Sequence, residues 1–216
     1  MIVVICIRAE CVWFCGPHRP REGRKEDNMI NGFTLSDPST VTGEQKDVFE
    51  KAEQGFGFVP NIVNGFSESP VLAEAMLELY GKFGKTSFDP IESHVALQTI
   101  NVLNECLYCV PAHSTGARKN GVAESLDESL RKNESLDDPK LESLRVFTTQ
   151  MVEQRGHVSS EQFETFLDAG WTRQSALDVV FFITVKTLTN YGNHITGTDI
   201  DEVFQPLEWS PAGVVS

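Results

Sequence analysis

The chain has 216 residues and a mass of 24.0 kDa, with 40% apolar and 23% charged residues, a balance that supports one well-buried core. Its 31 Asp and Glu against 18 Lys and Arg give a formal charge of −13, which repels phosphate backbones and anionic lipid and argues against a nucleic-acid partner. No run of 18 uncharged apolar residues occurs, so no membrane span is expected.

Five cysteines, an odd number, exclude a fully paired intramolecular disulfide framework. Three of them, Cys6, Cys11 and Cys15, fall in residues 1–28, where basic residues slightly outnumber acids while the rest of the chain is strongly acidic. This shift marks a boundary. Residues 1–28 are expected to be an arm that is disordered or not native, and residues 29–216 a single helical domain. The apolar start lacks a basic flank and a small-residue cleavage site, so it is not read as a secretory signal. The spacing of Cys6, Cys11, Cys15 and His18 matches no common zinc pattern.

From residue 42 onward the punctuation is helical. Thr42 precedes a helix expected to end at Gly55. Ser69-Pro70, Asp89-Pro90 and Asp138-Pro139 each pair a capping residue with proline at the first helical position. A weaker amphipathic helix is expected over 123–132. Ser159 with Gln162 forms a capping box for a short helix ending near Gly170, and Thr172 opens a helix running to Asn190. Leu141, Leu144, Val146, Phe147, Met151 and Val152 recur at helical spacing, and no segment alternates at period two. The expected fold is all-α, about seven or eight helices. Trp171 and the phenylalanines at 147, 163, 166, 181 and 182 read as core or subunit contact.

The chemistry sits in residues 104–113, Asn-Glu-Cys-Leu-Tyr-Cys-Val-Pro-Ala-His. On a helix, Cys106, Cys109 and His113 at i, i+3 and i+7 would share one face. Two thiols at this spacing can close a disulfide, and an imidazole one turn away can take a thiol proton. Pro111 disfavours helical angles at Val110, so a helix break between the cysteines and His113 is considered. Glu92 would share the cysteine face of an unbroken helix but ~21 Å away, so a bend or a crossing helix would be needed to bring it in. His94 is the other nearby titratable group, and Glu105 and Tyr108 flank the thiols. From spacing alone the pair reads as a redox dithiol, as inert packing or as metal ligands, the last needing a fourth ligand such as His94. Asn190, Tyr191, Asn193 and His194 form a polar cluster, either a pocket wall or a helix C-terminus, and the terminus is the preferred reading.

Residues 90–121, PIESHVALQTINVLNECLYCVPAHSTGARKNG, resemble the AhpD-like alkylhydroperoxidase branch of the carboxymuconolactone decarboxylase superfamily, whose dithiol helix has the form NxCxYCxxAH. Similar segments follow at 136–141, at 155–158 and at 186–191 with Asn193 and His194, so the resemblance spans roughly residues 35–205. It implies an all-helical homo-oligomer (dimer, trimer or hexamer) in the cytoplasm that reduces hydroperoxides with no cofactor and no metal. By the same resemblance Cys109 matches the peroxidatic cysteine, Cys106 the resolving cysteine and His113 the proton-relay histidine, with an external dithiol or thioredoxin-like reductant. The chain departs from the pattern twice. The family's relay glutamate usually lies 12 residues before the first cysteine, where His94 stands, and Glu92 is taken as the replacement. The histidine often preceding the second cysteine is Tyr108. The alternatives are a non-catalytic helical oligomer with a structural or metal-binding dithiol, and a superfamily enzyme acting on a lactone; decarboxylases of the superfamily typically lack the cysteine pair.

Overall fold

Proline supplies a preset φ and lacks only an N–H that the first helical turn leaves unpaired anyway. Three helices accordingly open at Pro70, Pro90 and Pro139, each after the capping residue expected from sequence. The computed structural model describes residues 30–211, so the N-terminal arm, its three cysteines and His18 lie outside the described residues. Within them are nine α-helices and no β-strand: α1 Gly43–Phe56, α2 Asn61–Phe66, α3 Pro70–Tyr80, α4 Pro90–Leu103, α5 Cys109–Lys119, α6 Glu124–Arg131, α7 Pro139–Glu153, α8 Ser160–Asp168 and α9 Arg173–Thr196. Short 3-10 turns occupy Ile30–Gly32, Phe83–Lys85 and Glu202–Leu207.

Three boundaries and one additional helix, α2, differ from the sequence reading. α1 passes through Gly55 and stops at Gly57, whose φ of 80° lets its N–H reach the Glu53 carbonyl. The six-residue α2 is too short to show a periodicity. The dithiol segment is not one helix, because α4 ends at Leu103 and α5 begins only at Cys109. α9 continues six residues beyond Asn190 and ends at Gly197, φ 59°.

α4 is buried from His94 to Val102 and packs against α5, α6, α7 and α9. A helix apolar on nearly every side has to be central. One core cluster surrounds its Val95, Leu97 and Ile100 with Leu144, Phe147, Phe166, Trp171 and Phe182. Phe147 stacks on Phe166 at 4.0 Å, and Phe166 on Trp171 at 5.8 Å. Each such ring stabilises by roughly 1.5–3 kcal/mol on full burial. A second cluster joins α1, α2 and α3 to Cys106, Tyr108 and Cys109. The dithiol is thus part of a core.

Candidate active site

The turn between α4 and α5 sets the thiols. Asn104 closes α4, and Glu105 adopts φ 51°, reversing the chain. Cys106 N–H then donates to the Asn101 carbonyl at 3.0 Å, and the Cys106 carbonyl accepts from Val110 N–H at 3.1 Å, opening the next helix. Cys109 is the first residue of α5, and its N–H donates to Cys106 Sγ at 3.2 Å. The two thiols are neighbours across a helix start, which corrects the expectation of one shared helix. Pro111 falls in the first turn of α5, where its missing N–H breaks no helical bond, so it does not separate the cysteines from His113.

Both cysteines are free and buried, and their environments drive them apart. Burial pushes the Cys106 thiol well above its ordinary range, and Cys109 beside it adds to the rise. Burial also acts to raise Cys109. Hydrogen bonding to Cys106, the Lys186 charge and contacts with Asn190 and Thr189 outweigh it, and the Cys109 pKa falls to about 7. Its position at a helix N-terminus acts in the same direction.

His113, one turn along α5, has its Nε2 2.8 Å from Lys186 Nζ. An ammonium can only donate, so Nε2 accepts and the imidazole proton resides on Nδ1. Burial, then the Lys186 charge, then His94 hold His113 far below the usual histidine range, so it is neutral at pH 7. Lys186 is fully buried on the inner side of α9, 5.9 Å from the Tyr80 ring centre. Burial works against its charge, but Tyr80, Cys109 and Cys106 outweigh that and raise its pKa.

His94 is also buried, and its Nε2 lies 3.0 Å from Asp127 Oδ1. Asp127 further accepts from Ser114 Oγ at 2.8 Å and from Arg118 Nε at 3.2 Å. A continuous chain of hydrogen bonds joins this acid to the dithiol turn. Asn104 donates to Asn190, Asn190 to Asn101, Asn101 to Gln98, Gln98 to Ser114 and Ser114 to Asp127, with every step at 2.8–3.1 Å. Tyr108 is buried with its hydroxyl on Asp201 Oδ2 at 2.5 Å, and Asp201 in turn accepts from Asn61 N–H at 3.0 Å.

Cys109, His113, His94 and Tyr108 all line one cavity of about 520 Å³. Its wall is largely apolar and aromatic, with Phe56, Phe58, Tyr80, Phe83 and Phe204. Cys106 stands behind Cys109 and does not line it.

Three residues singled out from sequence are placed elsewhere. Glu92 sits in the first turn of α4, closes the capping box with Asp89 N–H at 3.0 Å and pairs with Lys140 Nζ at 3.0 Å; it neither lines the cavity nor bonds to the dithiol. Because α4 ends before Cys106, the shared-face argument for Glu92 no longer holds. Glu105 is exposed, and its contribution is the backbone reversal. His194 is exposed on α9, where it stacks near Tyr191. Within the same polar cluster Asn190 and Asn193 are buried instead, and Asn193 Nδ2 lies 3.6 Å from Cys106 Sγ. They lie beside the thiols but do not line the cavity, and Asn193 is also in the last turn of α9, where its carbonyl accepts from Gly197 N–H at 2.8 Å. Lys186, Asp127, Asp201 and Tyr80 were not singled out from sequence. Lys186 carried a signal: it is the one Lys, Arg, Asp or Glu in the stretch from Val179 to Thr196, at i+4 and i+7 from the buried Phe182 and Val179.

No group of three or more His, Cys, Asp or Glu among the described residues is arranged to hold a metal. No helix among them is long and apolar enough to cross a membrane.

No protein-family model matches the chain, and no curated protein matches its sequence. Solved structures do match. An alkylhydroperoxidase AhpD core, a peroxidase-related protein from Ralstonia eutropha JMP134, superposes with TM-score 0.70 at 17% identity over 80% of this chain and 93% of that one. A peroxidase-related protein from Silicibacter sp. TM1040 gives TM-score 0.70 at 18% identity over 86% and 97%. A cysteine-to-alanine variant of the debrominase Bmp8 in complex with 2,3,4-tribromopyrrole gives 0.67 at 20% identity over 83% and 97%. The chain has the all-helical fold of these AhpD-like proteins.

Proposed function

We propose that the protein is a thiol-dependent peroxidase that reduces organic hydroperoxides through Cys109 and Cys106. The observation that carries the reading is the contrast between the two thiols: Cys109, on the cavity wall at a helix N-terminus, has a pKa of about 7, while Cys106 behind it is held protonated. A nucleophile must be ionised and reach substrate, and a resolving thiol needs neither until the first step is over. The Cys109 thiolate attacks the terminal oxygen of ROOH. The O–O bond breaks, and Cys109 sulfenic acid and an alkoxide form. A proton turns the alkoxide into ROH. Cys106 then attacks the sulfenic sulfur, the S–O bond breaks, and disulfide and water result. An external dithiol, in the manner of a thioredoxin-like reductant, restores both thiols by exchange.

Peroxide consumption with dithiothreitol as donor tests this. Wild type turns over. Cys109→Ser loses activity, and Cys106→Ser, given peroxide before any dithiothreitol is added, consumes one equivalent and holds a sulfenic acid that dimedone traps. Equal rates in all three proteins overturn the proposal.

A second reading draws on the aromatic cavity wall and the likeness to a debrominase: the same dithiol would reduce a halogenated ring, giving ring C–H, hydrogen halide and disulfide. Halide release without peroxide loss would single it out.

A further inference from the structure

The AhpD-like reaction as proposed leaves one buried charge unused. Lys186 is fully buried, and no carboxylate among the described residues lies within 4.0 Å of its ammonium. An unpaired buried ammonium carries a desolvation cost of about several kcal/mol and persists only where something balances it. The groups that face it are Tyr80 from α3, His113 and Cys109 from α5, and Cys106 from the turn before α5. His94 of α4 stands next, beyond His113, with Asp127 of α6 behind it. Asp127 is already engaged by His94, Ser114 and Arg118. Tyr80 is a phenol and His113 is neutral, so the anion available to Lys186 is the Cys109 thiolate.

We infer that Lys186 is the counter-ion of the Cys109 thiolate in the reduced protein and, through His113, the source of the proton that the substrate's alkoxide takes up. The second half rests on the peroxidase reading; the first does not. Oxidation of Cys109 removes the negative charge that Lys186 faces, so the ammonium is left buried without a partner and gives up a proton. His113 passes its Nδ1 proton to the alkoxide as Lys186 replaces it at Nε2. Across one oxidation, thiolate, thiol, ammonium and ROOH become disulfide, neutral amine, ROH and water, with atoms and charge in balance. Reduction by the external dithiol returns a proton to Lys186. Lys186 acts through His113 and through its field, so it is a positioning residue.

The test uses the full chain as wild type, Lys186→Met and Lys186→Arg. The first measurement is the pH dependence of Cys109 alkylation by iodoacetamide. Lys186→Met raises the inflection by about one pH unit or more, which is about tenfold less thiolate below it, and Lys186→Arg keeps it near the wild-type value. An unmoved inflection in Lys186→Met overturns the counter-ion assignment. The second measurement is proton exchange with solvent, at pH 8 in weak buffer, when diamide oxidises the reduced dithiol. Diamide needs two protons. Wild type draws none from solvent, because Cys106 and Lys186 each supply one. Lys186→Arg draws one per disulfide, because arginine holds its proton. One proton drawn by wild type overturns the delivery half. Neither measurement needs peroxide turnover, so a protein that passes both and consumes no peroxide defeats the peroxidase reading and leaves Lys186 as counter-ion.

Discussion

Asp127 is fully buried and accepts hydrogen bonds from four side chains on α4 and α5, those of His94, Gln98, Ser114 and Arg118. Burial alone would raise its carboxyl. The bonds from His94, Ser114 and Arg118 outweigh burial and bring its pKa below the ordinary value. A carboxyl whose folded pKa is lower than its unfolded one binds fewer protons folded. Its stabilisation is therefore complete above the unfolded pKa of about 3.9 and lost as pH falls through the folded pKa. Asp127→Asn should lower stability at pH 7 by about 1.5–3 kcal/mol, the range for hydrogen bonds to charged groups. It should also flatten the fall in stability below about pH 4. Urea titrations from pH 3 to pH 7 check both; parallel curves for the two proteins would remove Asp127 from the acid response. At this scale the sequence was legible in one short motif, whose Cys106, Cys109 and His113 the structure brings together around Lys186. Glu92 misled because an acid three residues after Asp89 also completes a capping box, and the cap is what the structure uses. Asp127 and His94 are 33 positions apart, and no local pattern announces their bond.

Helices announced themselves through proline and capping residues, so α3, α4, α7, α8 and α9 start where expected. Their ends were less legible. The polar cluster of Asn190, Tyr191, Asn193 and His194 was read as a helix end, yet α9 runs on to Thr196 and through Gly192. The glycine is there for packing. A Cβ at 192 would lie 2.4 Å from the Phe66 ring of α2, so α9 can approach α2 only without a side chain. Gly192→Ala therefore sets two terms against each other. Helix propensity favours alanine by about 0.8–1 kcal/mol, and overpacking a tight contact costs about 1–3 kcal/mol. Phe66 is buried, with little room to yield, so overpacking prevails. The variant should lose about 1–2 kcal/mol in chemical denaturation. A gain in stability would show that α2 shifts freely. The dithiol turn was illegible for a related reason. Helical spacing from Cys106 to His113 is real, but the positive φ at Glu105 that ends the first helix belongs to a residue type with no such preference.

At the scale of the whole molecule, the two core clusters meet at the cavity. Leu97 and Phe83 belong with the α4–α9 cluster; Ile62, Val63, Met76, Tyr108 and Cys109 belong with the α1–α3 cluster, and all seven line it. That enclosure was not readable from sequence, because its wall draws on residues from Phe56 to Phe204. Only the folded arrangement of α3, α4 and α5 brings them together. On the proposed peroxidase reading, a wall so apolar bears on which peroxide is used. A bulky organic hydroperoxide can bury its body there, whereas hydrogen peroxide needs only the thiolate and a proton. Ala112 lies on α5 just before His113 and lines the same space. Enlarging it to leucine removes room from the substrate's body. A single methylene in an apolar pocket is worth about 1–3 kcal/mol in discrimination. Ala112→Leu should then lower kcat/KM for cumene hydroperoxide by roughly tenfold or more, with a much smaller effect on hydrogen peroxide and an unchanged inflection in Cys109 alkylation. Steady-state rates on the two peroxides decide it. Equal losses on both would mean that the substituted side chain perturbs the thiol, and that the cavity does not select the substrate.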